Sequence, residues 1–141
     1  MKIKLGPNQP KPEYQSKGAA GFDLCATENI VLTSAVRMMD LDIAIELPEN
    51  HVGLLICRSS MAKKGIAIAN GTGVIDSDYR GNIKAPLVSD ACGGTLVQRG
   101  DRIVQLLVMP VNQVSLEVVE ELTETERGAG GFGSTDRRGK Y

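Results

Sequence analysis

The chain has 141 residues, with 16 Lys and Arg against 17 Asp and Glu, one His, three Cys and no Trp. That length fits one domain around a single core. A net charge of −1 lacks the basic excess that neutralises a phosphate backbone, which excludes nucleic acid as a main partner and leaves room for a small phosphorylated ligand.

Apolar residues recur with a period of two rather than 3.6. In chain order this predicts short strands over residues 2–5, 30–33, 43–47 and 52–56, the third carried by Ile43, Ile45 and Leu47 and the fourth by Val52, Leu54 and Ile56. His51, the lone histidine, follows Pro48-Glu49-Asn50 and reads as a solvated turn residue. Residues 59–65 predict the one helical turn, with serine first, Lys63 and Lys64 last and Gly65 as the stop. Further strands are expected over 66–68, 82–88, 95–97, 103–109 and 116–119, each bounded by turn-forming residues. Many short strands predict an all-β sandwich, jelly roll or barrel. Composition breaks after Glu126, which divides a β domain over 1–126 from a flexible Gly-rich tail over 127–141. Cys25, Cys57 and Cys92 are odd in number, far apart and outside any C-x-x-C pair, so neither a disulfide framework nor a cysteine zinc site is expected. With no apolar run of signal or bilayer-spanning length, the expected setting is a reducing cytoplasm, that of a host cell if the source is a virus or phage, without membrane contact.

Three segments carry residue types suited to chemistry. Cys57-Arg58-Ser59-Ser60 opens the helical turn, where backbone N–H groups, two hydroxyls and a cation suit an anion, although an N-cap serine beside a solvated arginine is the plainer reading. Ala69-Asn70-Gly71-Thr72-Gly73-Val74-Ile75-Asp76 contains Asn-Gly between apolar residues, a signal for a hairpin with a type I′ turn. Its exposed backbone groups could grip a planar base, and Asp76 reads equally as a turn former and as a general base or metal ligand. In the tail, Gly128, Gly130, Gly131 and Gly133 surround Phe132, with Arg127, Ser134 and Thr135 at the flanks. Glycines let backbone N–H groups converge on an anion, and an aromatic without local packing suits a lid over a base. Asp23 and Gln105, taken alone, are turn and strand residues.

Five ordered segments resemble the motifs of the trimeric dUTPase family: Ala20-Gly21-Phe22-Asp23-Leu24; Arg58-Ser59-Ser60-Met61-Ala62; Gly73-Val74-Ile75-Asp76-Ser77-Asp78-Tyr79-Arg80-Gly81; Gly100-Asp101-Arg102-Ile103-Val104-Gln105-Leu106; and Arg127-Gly128-Ala129-Gly130-Gly131-Phe132-Gly133-Ser134-Thr135. The resemblance departs at Cys57, Ser60 and Met61, where the second motif usually reads Pro, Gly and Leu, and at Asp136, where the fifth often ends in Gly.

The resemblance implies a jelly-roll-like distorted β-barrel of the dUTPase β-clip type and a homotrimer whose active sites are shared between chains. It further implies Mg²⁺-dependent hydrolysis of dUTP to dUMP and pyrophosphate, which keeps uracil out of DNA and supplies dUMP for dTMP synthesis. By the same resemblance Asp76 activates the attacking water and contacts the 3′-hydroxyl. Asn70 and the backbone of Gly73, Val74 and Ile75 read uracil, and Tyr79 packs under the sugar and excludes a ribose. Arg58, Ser59, Ser60, Lys84 and Gln105 belong to the substrate contacts, and Asp23 and Gln105 reach the metal through water. Arg127, Phe132, Gly133, Ser134 and Thr135 close over the ligand. The rival readings are the related dCTP deaminases, which would release ammonia from dCTP, and a relative that binds nucleotide or a protein without turnover.

Overall fold

Eleven β-strands and one turn of helix organise residues 1–131, the part of the chain that this computed structural model describes. In chain order they are β1 (Lys2–Leu5), β2 (Gly21–Cys25), β3 (Ile30–Leu32), β4 (Arg37–Asp40), β5 (Ile43–Glu46), β6 (His51–Cys57), α1 (Ser59–Ala62), β7 (Ile66–Ile68), β8 (Gly73–Ile75), β9 (Lys84–Ser89), β10 (Thr95–Val97) and β11 (Arg102–Pro110). All pairings are antiparallel, in four ladders: β2-β11-β6-β8, β4-β9-β7, β1-β5 and β10-β3. The expected all-β, jelly-roll-like fold is therefore what the chain adopts, with the ladders kept separate rather than bonded into one closed barrel.

The core lies between the inner faces of these ladders. Leu24, Leu32, Met39, Leu41, Ile43, Leu55, Ile83, Leu87, Ile103 and Leu106 are fully buried there, as period-two alternation requires of a sheet with one dry face. Gln9 is the notable polar residue inside. Its amide donates to the carbonyls of Leu41 (2.8 Å) and Cys25 (3.2 Å), and its Oε1 accepts from the Cys25 N–H (3.1 Å). One side chain from the N-terminal segment thus satisfies backbone groups at the end of β2 and beside β4.

Several expectations need correction. β2 and β4 were not anticipated. Residues 116–119 form no strand: Leu116 and Val118 are almost wholly exposed, because alternation alone makes no strand without a neighbour to pair with. The Asn70-Gly71 turn does not join a hairpin. β7 pairs with β9 and β8 with β6, so the turn carries the chain from one ladder to another. Gly71 has φ +74°, but Asn70 is not among the residues with positive φ, so the type I′ geometry is absent. His51 is not a turn residue: it opens β6, half-buried, with Nδ1 2.8 Å from the Glu49 carbonyl oxygen. The helical turn is shorter than expected and has Arg58 as its N-cap without a side-chain cap bond; Gly65, at φ +71°, follows it.

Candidate active site

The residues singled out from the sequence gather in two groups. The first surrounds β8. Among the described residues β8 is the last strand of its ladder and pairs only with β6, so on its other side alternate backbone N–H and C=O groups are left to a ligand. Facing that edge is a groove of about 320 Å³ lined by Asn70, Gly73, Val74, Ile75, Asp76, Tyr79, Lys84, Met38, Ile83 and Pro86. Six of the expected substrate contacts, together with Asp76, thus share one cleft. Gly73 lets β8 sit close to β6: a Cβ there would stand 3.2 Å from the Leu55 Cβ, so the neighbour would have to give by a few tenths of an ångström. Asp76 directly follows the strand and is exposed; its carbonyl accepts from the Tyr79 N–H at 3.2 Å. It also borders an open basin of about 600 Å³ lined by His51, Val52, Val74, Ser77, Asp78 and Val111 among others.

The second group is centred on Asp23. Asp23 on β2 lies directly opposite Gln105 on β11, which lies opposite Ile56 on β6, so these three side chains share one face. Arg58 reaches back from the end of β6: its Nε is 3.0 Å from Asp23 Oδ1, and its Nη1 donates to the Arg102 carbonyl at 3.0 Å. Arg102 Nη1 lies 3.2 Å from Asp23 Oδ2 and 2.6 Å from Gln15 Oε1. Two guanidiniums held by one carboxylate leave a surplus positive charge beside the exposed Ser59 and Ser60, a setting for phosphate oxygens. Arg102 and Gln15 were missed as site residues. Arg102 lies inside one of the quoted segments, whereas nothing local to Gln15 marks it.

The donor set also bears on a metal. Both oxygens of Asp23 already face arginines, and among the described residues no three His, Cys, Asp or Glu side chains gather in metal-holding positions. With one carboxylate, already paired to two arginines, and one amide, that of Gln105, the set suits outer contact with a hydrated divalent ion such as Mg²⁺. It does not fit a cage built by the protein.

The two groups do not meet within one chain. Continuing the β6-β8 register past Gly53 opposite Ile75 brings Asp76 level with Val52, six residues along β6 from Arg58. At the rise of a strand this is about 20 Å, beyond what the two side chains can bridge. Between them the same outer face carries Val52, Leu54, Ile56, Val74, Leu107 and Met109. Val74 is 63% exposed and Met109 45%. Of the tail, Arg127 is bonded within its own turn, Nε to the Gly130 carbonyl at 2.9 Å. Phe132, Gly133, Ser134 and Thr135 lie outside the described residues. Among the described residues no helix is long and apolar enough to cross a membrane.

A family model described as dUTPase matches residues 8–136. The deoxyuridine 5'-triphosphate nucleotidohydrolase of Wolinella succinogenes is 44% identical over 137 residues, covering 96% of this chain and 92% of that one. The enzyme of the same name from Nocardia farcinica is 44% identical, covering 94% and 82%. Among solved structures, a mutant of the Staphylococcus bacteriophage 80alpha dUTPase with dUpNHpp superposes with a TM-score of 0.84 at 30% identity, over 95% of this chain and 96% of that one. A dUTPase from phage phi11 of S. aureus, described with a structural Mg(II) ion, gives a TM-score of 0.78 at 28% identity, over 85% and 96%.

Proposed function

The chain belongs to the dUTPase family, and from that premise we propose how its residues turn dUTP into dUMP and pyrophosphate. As a dUTP diphosphatase it must place one aspartate and one phosphate-binding group around the same α-phosphorus. The observation that carries the proposal is the separation of about 20 Å between Asp76 and Arg58 along β6. The functional unit is then a homotrimer in which the Asp76 cleft of one chain is completed by the Arg58 group of another. The apolar outer face between the two groups supplies the surface that a second copy covers, since an interface of this kind is built from exposed apolar side chains.

In the assembled site, uracil lies on the free edge of β8 beside Asn70, with alternate N–H and C=O groups of residues 73–75 matching the base edge. Tyr79 packs under the deoxyribose and leaves no room for a 2′-hydroxyl. Arg58, Ser59, Ser60 and Gln105 hold the phosphates, with the exposed Lys84 among the residues that line the cleft. Asp76 orients a water and takes its proton as the water oxygen bonds to the α-phosphorus. The bond to the bridging oxygen breaks and pyrophosphate leaves with that oxygen's electron pair. When bound, Mg²⁺ neutralises phosphate charge and so lowers the repulsion met by the incoming oxygen; Asp23 and Gln105 would touch it through water. Residues 127–141 act as a lid, with Phe132 over the base and Gly133, Ser134 and Thr135 on the phosphates. In the cell this turnover keeps uracil from being incorporated into DNA and provides dUMP for dTMP.

Complementation tests the shared site. Asp76→Asn and Arg58→Ala variants are each nearly inactive alone. After mixing in equal amounts and reassembly from mild denaturant, about a quarter of sites regain one intact copy of each group by random assortment, read as pyrophosphate release. A mixture no more active than its components would place each site within one chain. Sedimentation checks the trimer directly, and pyrophosphate release from dUTP but scarcely from UTP, dCTP or dTTP checks selectivity.

A further inference from the structure

The Tyr79 ring is 42% exposed, so packing alone does not fix its attitude; an exposed aromatic has several rotamers open to it. Three features restrict it. Its hydroxyl donates to the Asn82 carbonyl at 2.9 Å. The Asn82 side-chain amide in turn donates to both carboxylate oxygens of Asp40, at 3.1 and 3.3 Å. Gly81 leaves the space the ring needs: a Cβ there would stand 2.7 Å from Tyr79 Cζ and closer still to its hydroxyl.

Asp40 is itself well anchored. It ends β4 opposite Lys84, its Oδ1 accepts from the Asp42 N–H at 2.8 Å, and its carbonyl accepts from Thr27 Oγ1 at 2.7 Å. From the other side, Arg80 Nη1 bonds the carbonyls of Ser77 (2.8 Å) and Tyr79 (3.0 Å), which stiffens the loop that carries the ring.

We propose that Asp40 and Asn82 are positioning residues for sugar selection: they tether the Tyr79 hydroxyl so that the ring is held where a ribose 2′-hydroxyl would collide with it. Asp40 lies 42 residues from Asn82 in sequence, so a carboxylate on β4, distant along the chain but two hydrogen bonds away in space, governs the ring. The inference rests on Tyr79 lying against the sugar, as argued above. Selection by shape needs a wall that does not yield, and a wall made of one exposed ring is only as rigid as its tether.

The test is the ratio of kcat/KM for dUTP to that for UTP, measured by pyrophosphate release with the full chain. Tyr79→Phe keeps the ring and removes the tether. Asp40→Ala and Asn82→Ala cut the tether further back. Each is expected to lower the ratio about threefold to tenfold, the effect of one net hydrogen bond, mainly through better use of UTP and a raised KM for dUTP. Asp40→Asn keeps one of the two oxygens that accept from Asn82 but sets an amide donor in place of the other, so its ratio falls between those of the wild type and Asp40→Ala. Because all three act on one tether, Tyr79→Phe/Asp40→Ala has a ratio no lower than Tyr79→Phe alone. A change that only destabilises the fold reduces both substrates alike and leaves the ratio unmoved. Should Asp40→Ala fail to fold, Asn82→Ala and Tyr79→Phe decide. If Tyr79→Ala abolishes selection while these variants retain it, the tether is refuted and the role of Tyr79 stands. If Tyr79→Ala also retains it, the role of Tyr79 falls and the tether with it.

Discussion

Asp23 Oδ1 lies 3.0 Å from Arg58 Nε, and the pair is largely withdrawn from water, with side chains 9% and 25% exposed. A carboxylate so placed holds the guanidinium in one orientation before any phosphate arrives. Asp23→Ala frees Arg58 and leaves Arg102 without its carboxylate. The expected result is a KM for dUTP raised about tenfold, matching the loss of about 1.5 kcal/mol from one charge-assisted bond. Steady-state pyrophosphate release measures it; an unchanged KM would show that Arg58 is held in place by other contacts.

Asp76→Asn removes the proton acceptor while keeping the shape of the strand end. Turnover should fall by about 10² to 10⁴, with the affinity for a non-hydrolysable dUTP analogue nearly intact by calorimetry. Persistent turnover would reassign the proton to another group.

Gln9→Leu should cost stability rather than specificity. The wild-type amide serves three backbone groups, and an isosteric apolar side chain leaves them buried and unpaired. A loss of about 2–4 kcal/mol is expected, read as a lower urea midpoint with unchanged slope. An unaltered midpoint would mean that water replaces the amide at no cost.

Thiol reactivity should rank by burial. Burial is the leading cause that pushes the Cys25 and Cys57 thiols above their ordinary value of 9.0, while Cys92 is exposed. A folded-state value raised above the unfolded one favours the protonated form, so this contribution to stability is fully present below about pH 9. It is lost as pH rises through the folded values. At about pH 8 one equivalent of iodoacetamide should react quickly, at Cys92, and two slowly. The urea midpoint should drop on the alkaline side, less so in Cys25→Ala/Cys57→Ala. Equal alkylation of all three thiols would contradict the ranking.

Removal of residues 127–141 should leave the melting temperature within a few degrees of the full chain while reducing kcat/KM about a hundredfold, the scale of losing a group that orients a reactant. Full activity without those residues would remove the lid from the mechanism.

The period of two was legible in β5, where Ile43 and Ile45 face the core as expected. In β6 the period was right and the face was not: Val52, Leu54 and Ile56, expected to carry the strand, are the half-buried outer set, and Gly53 and Leu55 face the core. β2 was hidden because Gly21, Phe22, Leu24 and Cys25 are all buried around a single half-buried Asp23, so no alternation shows. β4 was hidden because only Met39 of its four residues is buried. The Asn70-Gly71 signal is local, but strand partners are chosen by distant segments, and β6 and β9 outcompeted the neighbouring strand. At the site, Asp76, Tyr79, Arg58 and Gln105 were marked by motif resemblance. Asp40 had no such mark, since its role depends on a bond to a residue that only folding brings near.

β8 ends its ladder after three residues, and no strand among the described residues protects its outward amides. A bound uracil lying on that edge would stand in for the next strand. Amide hydrogens of residues 73–75 that face away from β6 should therefore exchange rapidly with deuterium in the free protein and slow down with a non-hydrolysable nucleotide. Those paired to β6 should change little. The edge that leaves the sheet unfinished is thus also a reporter, atom by atom, of whether the base has arrived.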